Sequence, residues 1–358
     1  MMKKQICLLL VLAILVGGAA ACRPAAATPT PAGPRTLVLM SHDSFAISEE
    51  VIAEFEAAHN AEVQFLPSGD AGAALNKAIL SKENPLADVF FGVDNTFLSR
   101  ALEADIFEPY KSQGLENIPD ELELDAEYRL LPVDYGDVCL NYDKAYFEEK
   151  GLTSPQNLKD LTKPELKGLT VVENPATSSP GLSFLLATVG HFGESEDYTY
   201  LDFWRDMRAN DVLVTEGWED AYWGQSTWAG GGERPIVVSY ATSPAAEVYF
   251  SEGALDEPPT GNVLGDGACF RQIEFVGILK GTKNRDLAEA FIDFMLSTRF
   301  QEDIPLQMWV FPANEQAALP QVFLDFAETP EHPAVVSPQA IAQNREAWIE
   351  KWTDVVLR

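Results

Sequence analysis

Residues 35 to 67 read RTLVLMSHDSFAISEEVIAEFEAAHNAEVQFLP. Leu37 to Met40 are a short apolar run ending in a polar turn, which predicts a strand. Val51, Ile52, Phe55 and Ala58 then share one helical face, with Ser48 placed to cap it. AEVQFLP predicts a second strand. The alternation runs on with a helix over AALNKAILSKEN, a buried strand over ADVFFGVDN and a helix over TFLSRALEADIF. The order βαβαβα predicts a parallel or mixed sheet flanked by helices. Ligands of such sheets sit beyond the C-terminal ends of the strands. Here those ends carry His42–Asp43–Ser44, Pro67–Ser68–Gly69–Asp70 and Asp94–Asn95.

The middle of the chain repeats this logic. YRLLPVDYGDVCLNYDK and GACFRQIEFVGILKG read as long strands. Between them GLTVVENP, VLVTEG and IVVSYATSP are shorter strands, separated by helical stretches around Ser183–Val189, Leu201–Ala209 and Trp218–Trp228. The C-terminal part is helical over NRDLAEAFIDFMLSTRFQEDIP and SPQAIAQNREAWIEKWTDVVLR, with a loop at Met308–Trp309–Val310–Phe311–Pro312. Trp204, Trp348 and Trp352 fall at helical spacing and read as packing residues. No internal repeat is present.

Two stretches share one build. In VVENPATSSPGLSFLLATV (171–189) and VVSYATSPAAEVYF (237–250) a strand ends in hydroxyls and a Ser–Pro, and a helix begins. Ser179 and Ser243 occupy the N-cap place and Pro180 and Pro244 the first helical turn, where a missing N–H costs nothing. Such helix starts offer free N–H groups and hydroxyls to an oxyanion, a phosphate or a hydroxyl. Ordinary capping would give the same pattern; the extra hydroxyls of Thr177, Ser178 and Thr242 set a ligand beside it as an equal reading.

Residues 1–22, MMKKQICLLLVLAILVGGAAAC, have the basic start and roughly dozen-residue apolar core of an export signal. Small residues before Cys22 point to a lipobox, with Cys22 as the lipidation site, although Ala19 stands where Leu is usual. Residues 23–35 are a Pro/Ala/Thr tether that cannot bury a core. The remaining ~320 residues exceed one comfortable core and predict two lobes. With 55 acidic against 25 basic side chains the net charge is −30, which argues against nucleic acid and against an anionic membrane surface as partners. The membrane would be reached only through the lipid. Four Cys and four His, with no metal-site spacing, predict neither a metal nor a cofactor.

The motifs HDSFA (42–46), FGVDN (91–95), PVDYGDVCLNYDK (132–144), NPATSSPGLSFLL (174–186), VTEGWEDAYW (214–223), VVSYATSP (237–244), IPLQMWVFP (304–312) and NREAWIEKW (344–352) occur in one order. In that order the chain resembles the thiamine-binding periplasmic proteins of ABC transporters. The resemblance implies an α/β, two-lobed type II periplasmic binding protein fold, each lobe a mixed sheet flanked by helices, joined by two hinge strands. Lobe 1 would comprise 36–134 plus 271–312 and lobe 2 135–270, with 313–358 as helices packing on the lobes. It implies an exported, lipid-anchored monomer of the cell envelope. That monomer closes on thiamine, or its phosphates, about hinges near 134–140 and 266–272, and passes the ligand to a permease and its ATPase.

Thiamine carries a fixed positive thiazolium, a flat aminopyrimidine and a hydroxyethyl arm. Aromatic faces and carboxylates suit it. By position, the resemblance assigns ligand contact to Asp94, Trp218, Tyr240, Trp309 and Ser178. The neighbouring Ser179, Ser243, Asn95, His42, Asp43, Tyr135 and Tyr222 complete the expected set. The chain departs from the family pattern in three places. His42 stands where Tyr is common, Ile47–Glu50 replaces a Trp, and Ala246 replaces an aromatic. These departures favour free thiamine over its phosphates. The two connecting strands run side by side in this fold, so Cys139 and Cys269 are expected to bond across them; two buried thiols are the alternative. Other ligands of the same fold stay open: a thiamine precursor, another organic cation, or ferric ion, though no Tyr–Tyr pair is present. An exported hydrolase is the remaining alternative, without a GxSxG or SxxK set to support it.

Overall fold

The apolar runs become strands in the expected order. β1 (Arg35–Ser41), β2 (Ala61–Pro67) and β3 (Val89–Asp94) lie parallel, alternating with α1 (Glu49–His59), α2 (Ala71–Leu80) and α3 (Leu98–Glu103). The structure, a computed structural model, describes residues 33–195 and 197–358. The export segment, Cys22 and the tether up to residue 32 lie outside the described residues. Arg35, read from sequence as the last tether residue, is instead the first residue of β1.

A two-residue β4 (Phe107–Glu108) leads to the thirteen-residue β5 (Leu131–Asp143). Then follow α4 (Lys144–Lys150), β6 (Thr170–Glu173), α5 (Ser179–Phe192), α6 (Tyr200–Ala209), β7 (Leu213–Thr215), β8 (Ile236–Tyr240), α7 (Ser243–Phe250), β9 (Thr260–Val263) and β10 (Phe270–Leu279). The sheet runs β2-β1-β3-β10-β5-β8-β6-β7, with β4 on β10, and β9 and a short β11 (Phe311–Pro312) on β5. β10 is antiparallel to β3 and to β5, and β5 is antiparallel to β8. β5 and β10 are therefore shared: one half of the sheet hangs on β3, the other on β8. This is the two-lobed mixed α/β fold, with the two long strands as its connection.

The helical segment after β10 is not continuous. It breaks into α8 (Arg285–Met295), α9 (Thr298–Gln301) and α10 (Ile304–Gln307). Ser297 ends the first piece and caps the second by accepting from the Phe300 N–H. The chain closes with α11 (Gln321–Phe326) and α12 (Pro338–Val356). α12 packs on both α6 and α3, with the Trp352 and Trp204 rings edge to face at 5.5 Å. Trp204, Trp348 and Trp352 are all buried, as their spacing predicts. The stretch around Trp218–Trp228 forms only a wide π-type turn at Asp220–Gln225.

Cys139 and Cys269 form a disulfide. Val138 pairs with Phe270, so the next step of the register sets the two Cys face to face, 4.4 Å apart at Cα. Cys269 lies just before β10 rather than within it.

The first Ser–Pro turn begins its helix one residue earlier than expected. Ser178 is the N-cap of α5, accepting from the Gly181 N–H at 3.5 Å, and Ser179 is already helical. Gly181 lets α5 press onto β6: a Cβ there would meet the Glu173 carbonyl oxygen at 2.6 Å. Backbone cannot move aside as a side chain can. Gly181→Ala is expected to lose about 1–3 kcal/mol of stability, read as a lower urea midpoint at unchanged slope; an unchanged midpoint would show that α5 slides freely on the sheet.

Candidate functional site

A cavity of about 730 Å³ lies among the strand ends and helix starts that the sequence singled out, a volume suited to a small ligand. From the first half of the sheet it receives His42 and Asp43 after β1, Asp70 before α2, Glu274 on β10, and Trp309 after α10. From the second half it receives Ser179 on α5, Trp218 and Tyr222 after β7, Tyr240 at the end of β8, and Ser243 and Glu247 on α7. Eight of the expected residues thus line one space: His42, Asp43, Ser179, Trp218, Tyr222, Tyr240, Ser243 and Trp309.

The other four are placed differently. Ser178 is fully buried behind the cavity as the α5 cap. Asp94 is also fully buried and accepts from the Thr96 N–H and hydroxyl, the Phe97 N–H and the Gln272 side-chain amide. Consecutive strand residues face opposite sides of a sheet. Asp94 and Asp134 oppose Glu274, so Asn95 and Tyr135 turn to the other face. There they border a second hollow of about 550 Å³ with Arg271 and Ile273. Asn95 is a tie between strands: its amide donates to the Arg271 carbonyl and its oxygen accepts from the Ile273 N–H. The Tyr135 ring carries the Arg271 guanidinium at 4.9 Å, which in turn pairs with Asp137 at 2.8 Å.

Hydrogen bonds tie the lining together. Tyr240 donates its hydroxyl to the Gln272 oxygen at 2.7 Å, and the Gln272 nitrogen donates to Asp94 and to Ser179 Oγ. The Trp218 indole N–H donates to Ser239 Oγ at 2.9 Å, and Ser239 Oγ meets Ser243 Oγ at 3.0 Å. The second Ser–Pro turn therefore orients Trp218 through Ser239 rather than acting as a side-chain cap. Thr242, the residue before α7, sends its hydroxyl to the Trp309 carbonyl. Trp309 itself has φ +59, a conformation uncommon for a bulky residue.

Several lining residues carried no distinctive sequence signal. Trp223 and Trp228 join Trp218 and Tyr222 in an aromatic group: Trp218 stacks on Tyr222 at 4.9 Å, and Tyr222 meets Trp223 at 4.9 Å and Trp228 at 5.8 Å, both edge to face. Glu247 accepts from the Tyr222 hydroxyl at 2.8 Å and from Thr260. Burial pushes its carboxyl up to about 7. Burial likewise raises Asp70, and raises Asp94 to about 6 against the Thr96 hydroxyl. His42 Nε2 lies 3.1 Å from Glu274. Burial alone would lower the imidazole, but the Glu274 carboxylate outweighs it and leaves His42 raised.

The charge pattern is one-sided. Asp43, Asp70, Glu219, Asp220, Glu247 and Glu274 line the cavity, and no Lys or Arg is among its described lining residues. Aromatic faces with carboxylates around them attract an organic cation. The same lining repels an anion.

The comparisons with known proteins agree with this geometry. Residues 84–326 match the family described as bacterial extracellular solute-binding protein. A thiamine-binding periplasmic protein of Salmonella typhimurium is 32% identical over 90% of this chain and 94% of its own length. One of Brucella suis is 32% identical over 88% of this chain and 91% of its own length. Among solved structures, a periplasmic thiamin binding protein superposes with a TM-score of 0.78 at 27% identity, covering 91% of this chain and all of that one. The chain belongs to the bacterial extracellular solute-binding proteins: it has their fold and is a binding protein, not an enzyme.

Proposed function

We propose that this protein captures thiamine in the cavity between its two halves and delivers it to an ABC permease and its ATPase. The observation that carries the reading is the lining: four tryptophans, two tyrosines and six carboxylates with no described Lys or Arg. A thiazolium finds π faces, worth ~0.5–2 kcal/mol each once desolvated, and carboxylates that balance its charge. Similarity to thiamine-binding periplasmic proteins supports the same ligand. Contact residues on this reading are Trp218, Tyr222, Tyr240 and Trp309, with His42, Asp43, Ser179 and Ser243 at the rim. Asp94 and Ser178 hold them from behind, and Asn95 and Tyr135 serve the hinge. We assign the anchor to Cys22, the site of action to the outer face of the membrane, and the working unit to a monomer. Closure bends β5 and β10 near 134–140 and 266–272 and is selected by a ligand that touches both halves.

Thiamine, thiamine monophosphate and thiamine diphosphate separate the charge argument from the ring argument. Calorimetric titration is expected to rank free thiamine tightest, with the diphosphate at least about tenfold weaker, because six carboxylates and no described Lys or Arg line the space. Tighter binding of the diphosphate would overturn the charge argument. Binding of none of the three would overturn the ligand itself.

A further inference from the structure

Asp134 is a buried acid that the binding reading leaves without a task. It is 1% exposed, and neither carboxylate oxygen receives a hydrogen bond. Its position is set by strand register. Glu274 on β10 pairs with Asp134 on β5 on one side and with Asp94 on β3 on the other. Three carboxylates therefore stand in a row across three neighbouring strands, on the face that holds the cavity. Glu274 is the member that opens into it.

The groups facing this row come from several elements. His42, after β1, sits 3.1 Å from Glu274. Asp70, before α2, adds a further acid. Tyr240 on β8 and Gln272 on β10 are neutral and bond each other. Arg345 on α12 acts on Asp94 from behind. Asp94 is well supplied with donors, including two N–H groups and an amide. Asp134 has none. Two adjacent buried carboxylates do not both stay ionised without donors. A protonated Asp134 satisfies itself by donating to Glu274.

Resting on the cation reading above, we infer that Asp134 and Glu274 are the charge-selecting element of the cavity: Asp134 holds a proton against Glu274 while the cavity is empty, and an entering organic cation expels it. In that step the Asp134 O–H bond breaks, the proton passes to water, and the electron pair remains on the carboxylate. The charge count explains the exchange. Ionising Asp134 adds one negative charge beside Glu274, and a monovalent cation in the cavity offsets that one charge. A neutral analogue leaves it standing. Burial, and then Glu274, push the Asp134 carboxyl well above the usual carboxylate range, in keeping with a proton retained when the cavity is empty. Protons on such a row belong to the coupled group and are read as a total.

The sign follows. The cation favours ionised Asp134, so affinity is full above the raised pKa of Asp134 and weakens as pH falls through it. One coupled proton gives a slope of up to about tenfold in Kd per pH unit. The test is calorimetry of the full chain with thiamine from pH 5.5 to 8, in buffers of different ionisation enthalpy. Binding is expected to release close to one proton. Asp134→Asn keeps a donor toward Glu274 but has no proton to give. It is expected to remain folded, to release about one proton fewer, and to bind about tenfold more weakly at pH 8. His42→Gln is expected to leave the release in place. Heats independent of buffer, an unchanged release in Asp134→Asn, or a release abolished by His42→Gln would each overturn the assignment. The infrared C=O stretch of a protonated carboxyl, present in the empty wild type at pH 7 and lost in Asp134→Asn, reads the proton without any ligand. If that difference band is absent the proposal falls. If it is present while thiamine gives no heat at any pH, the thiamine reading falls instead.

Discussion

Replacing Cys139 and Cys269 together by alanine is expected to lower stability by about 2–5 kcal/mol. The bridge closes a loop of 130 residues that includes most of the second half of the sheet. Chain-entropy arguments assign a loop of that size close to 5 kcal/mol, and native relaxation reduces the figure. Both Cys are fully buried against Ala241, so the substitution also removes packing atoms where β5 and the start of β10 meet. The bond ties the two shared strands at one end and leaves the Glu274–Asp134 level, several residues away, free to bend. Stability should therefore fall while thiamine affinity at 15 °C stays within about threefold. Guanidinium unfolding of the wild type with and without reductant, beside the double variant, checks this. The reduced wild type should also fall, though by less than the variant, because it keeps both buried sulfur atoms. A wild type indifferent to reductant would show that the bridge contributes nothing to stability.

That bridge was legible because the resemblance implies that the two long strands lie side by side. Once two long strands are known to lie side by side, two Cys at matching places nearly determine a bond. The helices were legible for a different reason: the Val51, Ile52, Phe55 face of α1 and the buried face of α12 follow the 3.6-residue period. Register was not legible. From sequence, Asp94 and Asn95 carry one expectation, ligand contact, and Tyr135 shares it without its neighbour Asp134. In the sheet each pair splits, one member toward the cavity and the other toward the hollow behind it. Glu274 lay hidden in FRQIEFVGIL as one polar residue of a long strand, and only pairing on both sides shows it as the centre of an acidic row. Trp223 and Trp228 lie in a stretch that reads as helical but forms only a wide turn, so no period orients them. The cap of α5 was missed by one place because Ser178 and Ser179 both suit the position. The close approach of Gly181 to Glu173 in the same turn is likewise a packing fact with no local signature.

Trp309→Ala is expected to weaken thiamine binding by about 2 kcal/mol, roughly 30-fold in Kd. The ring stands at the mouth of the cavity, stacked on Phe323 at 5.8 Å and flanked by Tyr249 at 5.2 Å and Phe250 at 5.1 Å. Those contacts leave it only partly buried, so part of its surface is free for a ligand. Its backbone is held at φ +59 by its place between α10 and β11, and Thr242 bonds its carbonyl from the other half of the sheet. A bulky residue in this conformation is strained by ~1–3 kcal/mol, and strain of this kind persists where the surrounding structure holds a side chain for use. Two further variants separate the ring from the strain. Trp309→Gly removes both: affinity should fall as in alanine, with stability equal to or above that of Trp309→Ala. Trp309→Phe keeps a smaller π face at the same strain and should lose only about three- to tenfold, since indole is the stronger cation–π partner. Fluorescence quenching by thiamine, strong in the wild type, should diminish in all three variants. If Trp309→Ala binds within threefold of the wild type, the ring is packing for Phe323 alone, and the cation must be held by Trp218 and Tyr240 instead.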